Sequence, residues 1–593
     1  MSLTRLGSAA RARYLPGTRC AVQSGTPFAA GGRRVCLRSL AERVASSQSR
    51  ASHNQSSIRT LQKNLQSQTL HNGSRSHILQ SAFPKKTAIG LALFIALVWY
   101  FGEDIEPNWA DFVMNSYEAE DPGNSPLHFH ANKEELEHYL QFHIPDVSQP
   151  LKDPGVTQFF SEHFEKLAGG WRMTEKDAAE ENIPVTHGCR FKSNDPCEDY
   201  FAFGTSLGPG SQPWNYWSIM DGHAGRHTAI MLQITLIPSI SHALLNLPAH
   251  ASSFEVDSTI KNTFLRIDKQ IMDSARTAAN WFPAANAAAI AALTPAFSGS
   301  CALLAAFDPS SSTLRVACTG DSRAVLGRWD PASQTYTTIP LSEDQTGFNA
   351  KEVARLAEAH PGEPDIIDPK SGRLLGIAVT RAFGDHRWKW DNDFIRTVQA
   401  KFWGSAPRPQ SKTPPYMTAE PEITETEIVR AEKGDTRFKS DFMIMASDGL
   451  WDRISSEHAV ECVQRWMEAR DRGQGEVKKD PRLQANPPQF GAPMEDPGLE
   501  YNAETGGQIE WKATPEYFAI EDENAAVCLA RNAMGGSRRG LFMGVLSVPP
   551  PMGRYAVDDT TILVVFFDKL DKDAVQAVSK ASAGEKKSWW KLW

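Results

Sequence analysis

Cysteine is scarce in this chain, eight in 593 residues, and none stands in a C-x-x-C pair or beside histidines at zinc-ligand spacing. That excludes a disulfide-stapled secreted module and a thiolate zinc site, and it suits free thiols in a reducing compartment. Acid is almost missing from the first 86 residues, where fourteen Lys or Arg face a single carboxylate, Glu42. That stretch carries +13, so with a formal total of −8 the remainder holds −21. A body so acidic repels phosphate backbones, which argues against nucleic acid as a partner. No self-similarity recurs at a period of about 20–50 residues, which excludes solenoids and propellers.

The acid-poor leader, rich in Arg, Ser and Ala, has the composition of a mitochondrial transit peptide over residues 1–45. A disordered basic arm is the blander reading of the same composition. A polar linker follows at 46–86, and then residues 87–102 run without a charge between Lys85 and Lys86 on one side and Glu103 and Asp104 on the other. Trp99, Tyr100 and Phe101 lie where an aromatic belt belongs, so this segment is expected to be a transmembrane or anchor helix in the mitochondrial inner membrane. An interfacial or core helix is the alternative, and whether the body faces matrix or intermembrane space stays open. A juxtamembrane segment (103–154) leads to the main domain (155–570), which has Pro- and Gly-rich insertions near 402–416 and 471–515 and is followed by a polar tail (571–593).

Within the main domain, short apolar runs alternate with amphipathic stretches such as 226–247 and 455–470, the pattern of a mixed α and β domain. Ser455 or Ser456 is placed to cap the second of these, and the alanine-rich stretch 277–294 reads as a helix. Five runs read as strands: WSIMD (217–221), CALLAAFD (301–308), TLRVACTGDS (313–322), DFMIMASDG (441–449) and TTILVVFFD (560–568). Four carry an Asp at or near one end, and the fifth follows Asp558 and Asp559. Any one of these is ordinarily a strand-end turn residue. Several carboxylates buried together, however, demand compensation, and a divalent cation compensates many at once. Asp221, Asp448 and Asp558, converging from distant parts of the chain, would make an all-oxygen site suited to Mg²⁺ or Mn²⁺. Gly222 and Gly449 follow two of these acids and let backbone approach closely. His223, two residues past Asp221, is placed to give a proton to a leaving group.

The ordered series MDGHAG (220–225), SGSCA (298–302), TGDSRAVLG (319–327), TRAFGD (380–385), ASDGLWD (446–452) and DDTT (558–561) resembles the motif set of the type 2C, or PPM, metal-dependent Ser/Thr protein phosphatases. NDPCED (194–199), RAFGDHRWKW (381–390) and PPYMTAEPEI (414–423) resemble most the pyruvate dehydrogenase phosphatase branch. The resemblance implies an α+β fold, a four-layer α-β-β-α sandwich of two antiparallel sheets with a dinuclear metal site at one rim. It implies that Asp221 bridges two Mg²⁺ or Mn²⁺ ions, that the Gly222 carbonyl, Asp448 and Asp558 complete their shells, and that Glu198 and Asp199 hold metal-bound waters. Asp321 and Asp452, with Asp448, match a weaker third ion. Hydrolysis of phosphoserine or phosphothreonine by direct attack of metal-bound water follows, with His223 as the acid and a phosphoprotein, the E1α subunit of the pyruvate dehydrogenase complex, as substrate.

One place departs from the commoner pattern. Asn194 stands where many members have a phosphate-clamping arginine, as it does in the pyruvate dehydrogenase phosphatase branch, and Arg190 is the nearby candidate to replace it. Cys301 replaces a usual threonine, and Arg381 and Asp385 are expected to pair with each other. Two rival readings are a catalytically dead phosphoprotein-binding relative, which predicts eroded ligands, and a metal nuclease, which the acidic body disfavours.

Overall fold

All five apolar runs are strands, and their double-sided apolar character has a plain cause: each sheet is covered on both faces. In the strand Phe442–Ala446, Phe442, Ile444 and Ala446 pack outward against helices, while Met443 and Met445 face the opposite sheet. The strand Ala302–Asp308 divides in the same way, Leu304 and Ala306 toward helices, Leu303, Ala305 and Phe307 toward the interior. With both faces buried, alternation disappears from the sequence although the strands are antiparallel. Each of the larger side chains among them, Phe, Leu, Ile or Met, contributes about 1.5–3 kcal/mol on burial.

The computed structural model describes residues 154–431, 438–473 and 509–569, together with positions 133, 134, 137, 476, 477 and 499. The expected transit peptide, linker, 87–102 helix and polar tail, and most of the juxtamembrane segment and of the 471–515 insertion, lie outside the described residues. The six-stranded sheet runs in the order Trp171–Arg172, Val185–Phe191, Thr560–Phe566, Phe442–Ala446, Arg323–Asp330, Thr335–Pro340. The five-stranded sheet runs Glu422–Glu427, Thr313–Thr319, Ala302–Asp308, Pro213–Met220, Tyr200–Leu207, and every pairing in both is antiparallel. Outside the first sheet lie helices Ser456–Arg472 and Ala525–Ala533; outside the second lie His227–Leu245, Ser253–Trp281 and Ala287–Phe297. The result is the four-layer sandwich.

Caps fix the helices where the sequence offers them. Ser455 accepts from the His458 amide, Ser252 and Glu255 form a reciprocal capping box, and Asn524 accepts from two amides of the helix it opens. The alanine-rich stretch is not one helix: Ser253–Trp281 ends before Pro283, and a new helix starts at Ala287 under an Asn286 cap. Pro283 supplies no amide to continue the first helix, and Ala285 takes a left-handed φ of 58° that breaks the path. Among the described residues, His227–Leu245 is the helix long and apolar enough to cross a membrane, and its residues Leu232, Leu236 and Ile240 are fully buried on the five-stranded sheet.

Candidate active site

The acids assemble at one end of the sandwich. The strand Pro213–Met220 delivers Asp221, Thr313–Thr319 delivers Asp321 through a single glycine, and Phe442–Ala446 delivers Asp448 as the first residue of a one-turn helix, Asp448–Trp451. Carboxylate oxygens of Asp221, Asp321 and Asp448 all lie within 4.8 Å of one another. Asp452 and Asp558 line the same cavity, Asp558 just ahead of the strand Thr560–Phe566. A buried strand runs straight into a carboxylate because strand ends from both sheets meet here.

Glu198 and Asp199 stand behind this wall. Glu198 accepts the Gly225 amide on Oε1 at 2.7 Å, and Asp199 is fully buried, accepting the Ser447 hydroxyl at 2.6 Å. Their loop is fastened by Asp559, whose carboxylate accepts the amides of Ser193 (2.9 Å), Asn194 (2.9 Å) and Glu198 (2.7 Å). A Cβ at Gly222 would collide with the Glu198 carbonyl, and one at Gly449 with the Asp559 carbonyl. Those glycines admit protein backbone. The Cys301 thiol donates to Asp321 Oδ1 at 3.2 Å and its amide to the Asp221 carbonyl at 2.8 Å, so this cysteine braces two of the acids.

No lysine or arginine pairs with Asp221, Asp321 or Asp448 among the described residues. Burial first, and then repulsion from the neighbouring acids, raises Asp221 and Asp448 well above the usual carboxylate range, and burial pushes Asp321 up to about 6. Three hard oxygen donors starved of positive charge fit a divalent cation of the Mg²⁺ or Mn²⁺ type. The sign follows from linkage. For an acid whose pKa rises on folding, stability is full below its unfolded value, about 3.9 for Asp, and is lost as pH climbs through the folded value. In EDTA, Asp321→Asn is therefore expected to gain in melting temperature relative to the native chain as pH passes from 4.5 through 6 to 8, and Mn²⁺ is expected to erase that gain. A difference that stays flat with pH would show that the cluster carries no such strain.

His223 and Asp385 form the second half of the site. The small sheet Phe383–Gly384, Gly299–Ser300, Gly222–His223 places them on either side of Gly299, and His223 Nε2 meets Asp385 Oδ2 at 2.6 Å. A Cβ on Gly299 would fall on both atoms. Asp385 holds a left-handed φ of 55°, an unusual conformation for a side-chain-bearing residue, kept by the bond from its amide to the Ser298 carbonyl at 3.0 Å. Burial works against charge on His223, but Asp385, joined by Asp321 and Glu198, outweighs it and the imidazole ends above its ordinary pKa.

The expected Arg381–Asp385 pair does not form. Arg381 reaches Glu352 with Nε (3.0 Å) and Nη2 (2.5 Å), a buried ion pair 29 residues away in sequence, which frees Asp385 for the histidine. Arg190, the candidate to replace the missing clamp, is engaged elsewhere. It donates to the Asp199 carbonyl at 2.5 Å, lies over the Tyr200 ring and is not part of the cavity wall. Asn194 is likewise absent from that wall and turns its Oδ1 to the Asp195 amide. Among the described residues, Arg554 makes ion pairs at this site, 3.3 Å from Asp558 and 3.9 Å from Glu198, and no sequence motif marked it.

A cavity joining clustered hard acids to a carboxylate-backed histidine is that of a metal-assisted hydrolase. A family model described as protein phosphatase 2C matches residues 181–485. The chain belongs to the protein phosphatase 2C family and is a metal-dependent protein Ser/Thr phosphatase. Asp558 lies beyond the matched residues, and the structure brings it to the same cavity. Among curated relatives, the chain is 36% identical over 385 residues to a protein phosphatase 2C homolog of Schizosaccharomyces pombe, covering 64% of this chain and 79% of the relative. It is 35% identical to the mitochondrial pyruvate dehydrogenase phosphatase 1 of Saccharomyces cerevisiae (62% and 64% covered) and 30% identical to the mitochondrial pyruvate dehydrogenase phosphatase 2 of Homo sapiens (46% and 49%). The matched stretch thus spans less than two thirds of either pyruvate dehydrogenase phosphatase.

Proposed function

We propose that this chain dephosphorylates the E1α subunit of pyruvate dehydrogenase inside mitochondria, through a site that binds two Mg²⁺ or Mn²⁺ ions and a weaker third. The observation that carries the chemistry is the cluster of Asp221, Asp321 and Asp448 within 4.8 Å, in one cavity with the His223–Asp385 pair. Asp221, the Gly222 carbonyl, Asp448 and Asp558 are the proposed ligands of the two ions. Glu198 and Asp199 would support the outer side of that site, and Asp321 and Asp452 would serve the third ion. Such ions supply Lewis acidity, neutralising phosphoryl oxygens and making water acidic enough to attack at neutral pH.

The chain's own groups do the rest. Asp385 Oδ2 fixes Nε2 of the imidazole, which leaves Nδ1 to carry the proton handed to the departing serine or threonine oxygen. Arg554, at the rim beside Asp558, is the fixed cation that stands in for the arginine absent at Asn194, holding a phosphoryl oxygen as substrate enters.

The substrate reading is supported by the pyruvate dehydrogenase phosphatases among the relatives, and the mitochondrial one by the mitochondrial setting of those relatives together with the composition of residues 1–45. Residues 87–102 would anchor the phosphatase domain (155–570) to the inner membrane. The test is phosphate release from phosphorylated E1α by the full chain with Mn²⁺, beside an unrelated phosphoprotein at equal concentration. Preference for E1α by about tenfold or more in kcat/KM, some 1.4 kcal/mol, is expected. Equal rates would assign another mitochondrial phosphoprotein. Protease protection of a C-terminal tag in mitoplasts settles the side of the membrane, and cleavage of the tag would remove E1α as the substrate.

A further inference from the structure

Five arginines line the catalytic cavity, whose volume is about 1160 Å³. Three of them have partners. Arg323 is bidentate with Asp344, Arg373 donates to the Gly376 carbonyl and Arg554 to Asp558. Arg387 and Arg408 donate to nothing among the described residues, and the Nε of each is buried without a partner. A buried guanidinium N–H left unpaired is costly, and the planar fork of arginine matches a carboxylate or phosphate in two-pronged geometry.

These two side chains are held, not loose. Both lie over the same indole, Trp388, Arg408 at 4.3 Å from the ring centroid and Arg387 at 5.8 Å. Arg408 also occupies a seat left open by Gly376, where a Cβ would come within 2.6 Å of its Nη1. The arrangement concentrates like charge: burial and the neighbouring Arg387 both work against the charge of Arg408. The one acid in their field, Asp385, already shares its Oδ2 with His223. Among the described residues neither guanidinium donates a hydrogen bond to a protein group, so the pair has positive charge to give.

We propose that Arg387 and Arg408 form a second anion site in the catalytic cavity, which takes an acidic group, a carboxylate or a second phosphoryl, on the substrate polypeptide beside the phosphoserine being cleaved. This rests on the phosphoprotein reading above and adds a substrate rule to it. Arg554 attends the acid cluster, whereas the acid whose charge acts on the two arginines is Asp385, the partner of His223. The space suits a peptide, since pockets on the order of 300–1,000 Å³ already bury a drug-sized ligand.

The test uses the full chain with Mn²⁺ and three phosphoserine peptides alike except for the flank, which is neutral, Asp/Glu-rich, or bears a second phosphoserine. The native chain is expected to favour an acidic flank by roughly tenfold or more in kcat/KM, the size expected of one charge-assisted hydrogen bond. Arg408→Gln and Arg387→Gln are each expected to bring that ratio toward one, with Arg408→Lys keeping part of it. Whichever acidic flank gives the larger ratio identifies the source of the anion. A native chain indifferent to the flank overturns the proposal without needing any variant. So do variants that lose neutral and acidic peptides in equal proportion, because then the arginines serve folding or the reacting phosphoryl. Turnover of the neutral peptide separately reports on the phosphatase reading beneath.

Discussion

Asp448→Asn is expected to lower kcat/KM for every phosphomonoester by about 10³-fold or more, a loss of ~4 kcal/mol, since cationic stabilisation of phosphoryl transfer supplies several kcal/mol. Asp448 is the sharpest choice because its carboxylate lies within 4.8 Å of both Asp221 and Asp321 and none of the three has an ion-pair partner among the described residues. EDTA should match the substitution, and Mn²⁺ should restore the native chain but not the variant. Asp558→Asn is expected to act more mildly, because Asp558 sits at the rim with Arg554 already beside it. Steady-state rates across a Mn²⁺ titration decide the matter. More than a tenth of native activity in Asp448→Asn at saturating metal, or full native activity in EDTA, would remove the carboxylate cluster from the mechanism.

His223→Ala should separate substrates by their leaving groups. A phosphoserine departs as an alkoxide that needs a proton, so its kcat is expected to fall by about 10²-fold or more, while an aryl phosphate, whose phenolate leaves unaided, loses far less. Asp385→Asn carries a pH signature. His223 works as an acid while protonated, and against the effect of burial Asp385 is the largest of the charges, with Asp321 and Glu198, that lift its pKa above the ordinary value. Without that charge, the basic limb of the kcat profile on phosphoserine peptides moves to lower pH. Gly299→Ala, whose Cβ must part the same two side chains, is expected to reproduce that shift. Profiles that superimpose on the native one would mean that Asp385 is a bystander.

What could be read in advance was whatever the chain states locally. Strand ends carrying Asp221, Asp448 and Asp558 announced themselves because a carboxylate at the tip of an apolar run needs a reason. Edge strands were harder. Glu422–Glu427 and Tyr200–Leu207 lie at the two margins of the five-stranded sheet, half-buried and mixed in character, so neither periodicity nor apolar density marked them. Asp385 was hidden for a different cause. Its partner is chosen by a three-strand juxtaposition and a left-handed backbone angle, while the nearer cation in sequence, Arg381, is drawn off by Glu352. Arg387, Arg408 and Arg554 received no role from the sequence either, because an arginine on a short helix or turn means nothing until the cavity it lines exists.

The strand Thr560–Phe566 is central in its sheet, between Val185–Phe191 and Phe442–Ala446, and it is preceded by the Asp559 carboxylate that gathers the 193–198 loop. One late stretch of sequence therefore supplies three things together: the middle of a sheet, the fastener of a loop and an acid of the cavity. A copy cut short before it would lose all three at once.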